Sequence, residues 1–233
     1  MENKSSSSSR QSVEADGSEA NPLLPRKPQR ARGKARYEIL LDAADAALAE
    51  HNGSEITLLD AASRAGVPLA SVYHYFPSNV ALLVGLARRY FRDFERLMAI
   101  SAPHDRLETW MDLCRLHAAA GRQYYATHPA AMRLLLGADC GTQVRQNDLD
   151  ANLRFAAMQY RAYCRHFVLP PGQYAIDRCA IAITISDAIW SLSYSRYGCI
   201  TDAMAEEALQ ARFAYLLLYL PERAEKRTTP LEG

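Results

Sequence analysis

Apolar residues recur at helical spacing along most of this 233-residue chain, from about residue 34 to about residue 220. In the first stretch they occupy positions 39, 40, 43, 44, 47 and 48, which form one stripe of a helix. No run of alternating apolar and polar residues competes with this pattern. The chain is therefore predicted to be all-α, with helices over about 34–51, 58–65, 68–75, 79–101, 105–127, 129–137, 142–168, 173–198 and 202–220.

The composition is that of an ordinary globular protein. Hydrophobic residues make up 49% of the chain and charged residues 23%, so a sizeable core can be buried. No uncharged apolar run reaches the roughly 18 residues of a membrane span, and the serine-rich N-terminus has no apolar signal segment. We therefore expect a cytoplasmic protein that does not contact a membrane.

Cysteine usage argues against a structural metal or a disulfide framework. The chain has 5 cysteines, an odd number, without a Cys-x-x-Cys pair. Cys114 and His117 share a helix face, but two ligands do not complete a metal site. No metal and no cofactor are expected.

The two ends of the chain differ from the rest. Residues 1–25 are rich in serine and poor in large apolar side chains, so they are predicted to form a disordered tail, as are residues 221–233. The net charge is only +1, yet Arg26 to Arg36 holds six cations and no acid. This run is either a solvated stretch of charge or a basic arm against phosphates, with Arg32, Lys34 and Arg36 as candidate contacts.

The most informative segment is TLLDAASRAGVPLASVYHYF, from Thr57 to Phe76. It predicts two short helices joined by a tight turn, in which Gly66 can adopt a positive φ and Val67 can plug the angle between the helices. This is the pattern of a helix-turn-helix, whose second helix enters the DNA major groove. An ordinary helical corner gives the same spacing, so the spacing alone leaves both interpretations open.

The side chains of this segment suit contacts with DNA. The Thr57 hydroxyl and the free N–H groups of its helix start can bind a phosphate, and Ser71 can donate or accept at a base edge. The other side chains can make three further kinds of contact. These are apolar contacts with thymine methyl groups, hydrogen bonds to the DNA backbone, and a base or phosphate contact from histidine. The further predicted contacts are Leu69, Ala70, Tyr73, His74 and Tyr75. Ordinary packing of aromatic residues in a helical corner is the alternative.

A resemblance to a known family rests on many of these positions. They are Arg36, Ile39, Leu40, Ala43, Ala44, Gly53, Thr57, Leu58, Ala61, Ala62, Ala65, Gly66, Val67, Ser71, Val72, Tyr73, Tyr75, Phe76, Ser78, Leu82 and Leu83. Over residues 34–84 the chain resembles the N-terminal domain of the tetracycline-repressor (TetR) family of bacterial regulators, and the run AGVPLASVYHYFPSN is the most specific part.

This resemblance implies a DNA-binding domain over residues 26–78, including the basic arm, and a larger helical ligand-binding and dimerisation domain over 79–220. Two positions depart from the family pattern. Asn79 stands where the family usually has a lysine that contacts a phosphate, and it can donate a hydrogen bond but brings no charge. Pro68 stands where a serine often caps the recognition helix, and proline is tolerated in a first helical turn.

The last two predicted helices are apolar around most of their circumference. Such helices must be buried on all sides, and pairing them with their copies in a second subunit would achieve this with two-fold symmetry. A well-buried central helix in a monomer is the alternative. The residues predicted at the dimer interface are Ile181, Ile185, Ile189, Phe213, Leu216, Leu217 and Leu220.

The predicted ligand residues lie on the helices that surround the ligand cavity in this family. Their aromatic and methionine side chains suit a hydrophobic or planar effector, although most such residues are simply core. The set is Trp110, His117, Tyr124, Met132, Phe155, Met158, Gln159, Tyr163, Asp187, Trp190 and Tyr194. An unpaired Asp187 would be costly in this apolar surrounding, so it is expected to pair with an arginine or with a polar group of the effector.

Together these features predict a sequence-specific DNA-binding transcriptional regulator. The resemblance implies a homodimer on a palindromic double-stranded operator, and usually a repressor that a small, mainly apolar effector releases. The alternatives are an all-α enzyme and a ligand-binding module without DNA binding. Because the sequence has no GxSxG, HExxH, P-loop or GxGxxG motif, the chain is not expected to be an enzyme.

Overall fold

The computed structural model describes residues 21–50, 56–138 and 141–231. In these ranges helices occur throughout, with no β-strand and one isolated bridge between Phe167 and Lys226. The all-α prediction is confirmed. The helices are α1 (Ala31–Glu50), α2 (Leu58–Ala65), α3 (Leu69–Tyr75), α4 (Asn79–Met98), α5 (Trp110–Thr127), α6 (Pro129–Leu136), α7 (Thr142–His166), α8 (Gln173–Tyr197) and α9 (Asp202–Leu216).

Most helix limits follow from capping chemistry in the sequence. α2 begins after Thr57, whose side chain and Asp60 form a reciprocal capping box, and ends at Gly66 in the left-handed region with a φ of 62°. α5 begins at Trp110 rather than at about 105, because Thr109 and Asp112 form a second capping box after a 3₁₀ turn at His104–Arg106. The predicted stop at His51-Asn52-Gly53 lies outside the described residues.

α4 joins the N-terminal helices to the rest of the molecule. Arg89 on α4 donates to Asp42 of α1 at 2.6 Å and to the Leu41 carbonyl at 3.2 Å, and Tyr90 donates to Asp45. Farther along, α4 packs against α7 and α5. No helix of the described ranges is long and apolar enough to cross a membrane.

The prediction of disordered tails is wrong for the parts that the structure describes. Residues 21–25 pack beside α3, where Pro25 is buried and the Pro22 carbonyl accepts from Ser78. Residues 222–231 lie along the end of α7, where the amides of Arg227 and Leu231 donate to carbonyls of α7 at 2.8 and 2.9 Å. Backbone hydrogen bonds hold these polar segments, which a composition argument does not detect.

Candidate functional site

α2 and α3 form a helix-turn-helix. After Gly66, the Val67 amide donates to the Ala62 carbonyl at 3.0 Å, and Val67 packs on the core between the two helices. Val72 is fully buried and fixes the inner face of α3. The outer face of α3 is therefore held in one orientation and presents its side chains to the exterior.

The outer face of α3 carries most of the predicted DNA contacts. Tyr73 is 49% exposed, and Ala70 and His74 are also exposed. Leu69 and Ser71 are partly exposed at the start of the helix. These five side chains lie together on one short helix, as a major-groove interface requires.

Tyr75 does not belong to this outer face. Its ring is buried and meets the ring of Tyr37 edge-on at 6.0 Å between centroids. Its carbonyl accepts the Arg26 amide at 2.8 Å. The prediction of a DNA contact from its phenol is therefore corrected: Tyr75 is a core residue that also anchors the basic arm, because it follows the buried Val72 by three residues and so lies on the same inner face of α3.

The basic arm lies beside the end of α3. Arg30, Arg32 and Arg36 line one shallow groove together with His74. Arg32, Lys34 and Arg36 stand in the first turns of α1, since that helix begins at Ala31. Arg30, Arg32 and Lys34 are exposed. Arg30, Arg32 and Arg36 thus form one surface with the end of the predicted recognition helix. Lys34 lines another groove, together with Lys27 and Arg88.

Thr57 and Asn79 are already engaged within the protein. The Thr57 hydroxyl donates to the Asp60 carboxylate at 2.7 Å, and its amide donates to the same group at 2.8 Å. Asn79 accepts the Leu58 amide on its side-chain oxygen at 3.0 Å. Asn79 keeps its side-chain NH₂ for a phosphate, whereas a phosphate contact from the Thr57 hydroxyl requires it to leave Asp60.

A cavity of about 60 Å³ lies within the C-terminal helices. Its apolar walls come chiefly from aromatic rings on α4, α5, α7 and α8, and its polar groups come from α5 and α7 to α9. The lining residues are Phe91, Phe94, Met98, His117, Ala118, Gly121, Tyr125, Leu135, Asp148, Asn152, Phe155, Gln159, Ile183, Ser186, Asp187, Trp190 and Arg212.

The cavity brings together only part of the predicted ligand set. His117, Phe155, Gln159, Asp187 and Trp190 line it. The other six predicted residues do not line it, and their contact with a ligand stays a prediction. They are Trp110, Tyr124, Met132, Met158, Tyr163 and Tyr194.

Packing elsewhere in the core explains why large side chains of the predicted ligand set do not line the cavity. Trp110 is fully buried between Tyr163 and Phe213, and its indole N–H donates to the Pro221 carbonyl at 2.9 Å. Tyr124 stacks on His128 at 4.0 Å between ring centroids. Aromatic size on a cavity-bearing helix therefore does not distinguish core from lining.

The carboxyl groups of the cavity are strongly perturbed. Burial, and next the nearby Asp187, raise the pKa of Asp148 to about 7, although Arg145 donates to it at 2.6 Å. Burial also raises the pKa of Asp187, which accepts from the Asn152 amide at 2.8 Å. Asp187 forms no direct ion pair with any residue in the described ranges. Of the two partners expected for it, an arginine in direct contact is not found, and a polar group of the effector stays a prediction.

The predicted dimer residues divide into two groups. Phe213, Leu216 and Leu220 are buried within the protomer, since α9 packs between α8 and α5, and their assignment to the interface is wrong. Ile181 and Leu217 are about 40% exposed (40% and 41%). Ile185 and Ile189 are partly exposed.

Comparison with known proteins identifies the N-terminal domain. Residues 40–86 match the family model described as bacterial regulatory proteins of the tetR family. This segment contains α2, the turn, α3 and the start of α4. The N-terminal domain belongs to the TetR family. The resemblance over residues 34–84 is thereby confirmed.

Relatives of known structure extend the TetR fold beyond this domain. A TetR-family regulator from Streptomyces coelicolor is similar over 79% of this chain and 99% of its own, at 20% identity and a TM-score of 0.62. SmeT, the repressor of the Stenotrophomonas maltophilia multidrug efflux pump SmeDEF, is similar over 82% of this chain and 93% of its own, at 18% identity and a TM-score of 0.54. The predicted architecture, an N-terminal helix-turn-helix domain with a larger helical domain, is confirmed.

A curated relative supports the same assignment at the sequence level. The HTH-type transcriptional regulator BetI of Agrobacterium fabrum is 35% identical over 77 residues. This match covers 31% of this chain and 37% of BetI, so the chain spans about a third of that relative's length. The matched family model and BetI both describe regulators rather than enzymes.

Asp148, Asn152 and Arg212 line the cavity but do not belong to the predicted ligand set. Asp148 and Asn152 share one face of α7 with the predicted Phe155 and Gln159, because these four follow one another at spacings of four, three and four residues. Arg212 is buried on α9 between apolar neighbours. A polar residue on an otherwise apolar helix face is the sequence signal for such positions.

Proposed function

We propose that this chain is a sequence-specific DNA-binding transcriptional regulator that reads operator DNA with α3. The observation that carries the proposal is the single orientation of α3, whose exposed Tyr73 and His74 adjoin the cations of the arm. Side chains on the helix contact base edges, and the arm contacts phosphates. This is the division of work in helix-turn-helix proteins.

Two copies of the chain are proposed to bind one two-fold symmetric site. Ile181, Leu192 and Leu217 leave apolar side chains exposed on α8 and after α9, at 40%, 49% and 41%. A second copy would bury these residues around a two-fold axis. The resemblance to the TetR family supports the same arrangement, with half-sites about one helical turn apart or a little more.

The cavity is proposed to hold a small effector that releases the operator, which would make the protein a repressor. Phe91, Phe94 and Met98 on α4 line the cavity, and the first residue of the same helix, Asn79, bonds the start of α2. Repacking of α4 around a ligand would therefore move the reading head, by which we mean helices α1 to α3. Release requires that the ligand bind the DNA-incompetent arrangement more tightly than the competent one.

The test is an equilibrium titration of duplexes selected from a random-sequence library. Tyr73→Ala and His74→Ala should each weaken binding by about 1–3 kcal/mol, since each removes one base or phosphate contact. Tyr197→Ala is the matched control, because Tyr197 is 56% exposed but lies at the end of α8. Sedimentation of each variant verifies that the oligomeric state is unchanged.

Two results would contradict the proposal. The first is wild-type affinity in both α3 variants. The second is that no duplex binds in preference to others, which would leave a ligand-binding module without DNA recognition.

A further inference from the structure

Two groups of opposite charge in the cavity wall, Asp187 and Arg212, attract each other but form no direct ion pair with any residue that the structure describes. Asp187 has the Asn152 amide as its hydrogen-bond partner. Arg212, which is 95% buried (5% exposed), donates to Gln159 at 2.6 Å, and its Nε atom has no partner. Isolated buried charges are costly, and a ligand that pairs with them would remove that cost.

Two further polar atoms in the cavity wall are buried and unpartnered. No atom in the described part of the chain accepts a hydrogen bond from the Trp190 indole N–H. His117 donates through Nε2 to the Ile100 carbonyl at 3.0 Å, so its unpartnered Nδ1 is an acceptor. Burial lowers the pKa of His117 and keeps it neutral. The cavity therefore offers donors from Arg212 and Trp190 and acceptors from His117 and the carboxyl groups.

Two features favour a cation over an anion as the main occupant. Two carboxyl groups, Asp148 and Asp187, line the cavity against the one guanidinium of Arg212, while Arg145 bonds Asp148 from outside the lining. Phe91, Phe155 and Trp190 line it as well, and the face of an aromatic ring attracts cations. An anion would meet Arg212 but would lie among these rings and both carboxylates, where repulsion opposes it.

We propose that the effector is a small organic amine, bound as its ammonium ion, that also carries a hydrogen-bond acceptor. The ammonium group lies against Asp148 and Asp187, and the acceptor takes hydrogen bonds from Arg212 and Trp190. This proposal names the ligand class of the cavity and rests on the proposed function only for its effect on DNA. It replaces the expectation of a mainly apolar effector.

The proposal predicts a proton signature. The groups that face the carboxyl pair are Arg145 from α7, His117 and Tyr125 from α5, and Arg212 from α9. At neutral pH the pair holds part of a proton, because both carboxyl groups resist ionisation. An ammonium ion favours the ionised pair, so its binding should release a fraction of a proton at pH 7 and less at pH 9.

The experiment compares ligands that differ in charge alone, on the full chain without DNA. One series is tyramine, 2-(4-hydroxyphenyl)ethanol and 4-hydroxyphenylacetate, and the other is 3-methoxypropylamine, 3-methoxypropanol and 3-methoxypropanoate. Calorimetry in buffers of different ionisation enthalpy gives affinity and proton release together. In at least one series the ammonium compound should bind about tenfold or more tightly than both counterparts and should release protons.

Matched variants locate the effect. Asp187→Asn keeps the shape of the side chain and should lower the affinity for the ammonium compound by about tenfold, which abolishes its preference over the neutral counterpart. Asp177→Asn makes the same change on the exposed side of α8 and should leave the preference unchanged. The melting temperature of each variant without ligand verifies that it is folded.

Three outcomes would overturn the proposal: neither ammonium compound binds, a neutral or anionic counterpart binds as tightly, or Asp187→Asn retains the charge preference. Operator binding by the ligand-free wild-type protein is measured separately. If the ligand-free protein recognises no operator but the ammonium preference is found, the proposed function is refuted and the ligand class stands. If an operator is recognised but the ammonium preference is absent, only the ligand class is refuted.

Discussion

Two helix-interior glycines should respond in opposite directions to the same substitution. Gly85 lies on α4 where that helix crosses the reading head, and Gly121 lies on α5 beside the cavity. A Cβ atom at Gly85 would stand 2.8 Å from a ring carbon of Phe76 and 3.0 Å from the Tyr37 hydroxyl. Phe76 is fully buried, so its ring cannot move away without shifting the packing between α4 and α1.

The expected magnitudes follow from these distances. Replacing a helix-interior glycine by alanine gains up to about 1 kcal/mol of unfolding free energy, whereas overpacking a core costs about 1–3 kcal/mol. Gly85→Ala should therefore lose about 1 kcal/mol net. At Gly121 the nearest atoms to a new Cβ lie at 3.7 Å on Phe94 and Trp190, an ordinary van der Waals separation, so Gly121→Ala should gain up to about 1 kcal/mol.

Thermal and urea denaturation at one fixed protein concentration measure both changes, since association couples stability to concentration. For a chain of this size the two variants should melt about 4–8 °C apart, with wild type between them. If Gly85→Ala is at least as stable as wild type, or if both substitutions shift stability in the same direction, the close packing of α4 on the reading head is refuted.

Three further predictions concern the arm, the dimer and the cavity. Combined substitution of Arg30 and Arg32 by alanine should weaken DNA binding and flatten its salt dependence, by a little under one unit of slope for each phosphate that the arm no longer neutralises; an unchanged slope would make the arm a solvated charge run. Leu217→Asp should give a folded monomer, because Leu217 is exposed, whereas Leu216→Asp should unfold the protein, because Leu216 is buried. Sedimentation and circular dichroism distinguish the two results. A Leu217→Asp variant that remains dimeric would contradict the proposed interface. Because its pKa is raised, the Asp148 carboxyl contributes stability that is complete below about pH 4 and is lost as the pH rises to about 7. Over that range the unfolding free energy of Asp148→Asn should therefore rise relative to that of wild type, by up to about 1.4 kcal/mol per pH unit. Parallel curves of unfolding free energy against pH would contradict this sign.

The sequence allowed the helices and the reading head to be predicted because their signals are local. A capping residue at Thr57, a left-handed glycine at Gly66 and an apolar Val67 determine the turn within a few positions. The inner and outer faces of α3 also follow from spacing, except at Tyr75. Its burial depends on Tyr37, which is distant in sequence.

The cavity and the chain ends could not be predicted in the same way, because they depend on packing between distant residues. Asp148 and Asp187 come together only through the packing of α7 on α8. The segment after α9 is polar, yet the amide of Val168 donates to the Glu225 carbonyl at 2.8 Å. Such hydrogen bonds leave no pattern in composition. The face of α7 that lines the cavity did carry a local signal, in the spacing of Asp148 and Asn152.

The central claim is that α3 reads DNA, and the most direct measurement is selection of bound duplexes from a random-sequence library by the purified full chain. The account predicts enrichment of one two-fold symmetric sequence whose half-sites lie about one helical turn apart or a little more. It also predicts that a chain carrying both Tyr73→Ala and His74→Ala no longer enriches this sequence. A library that remains unenriched by the wild-type chain, or the same sequence enriched by the double variant, would contradict the claim.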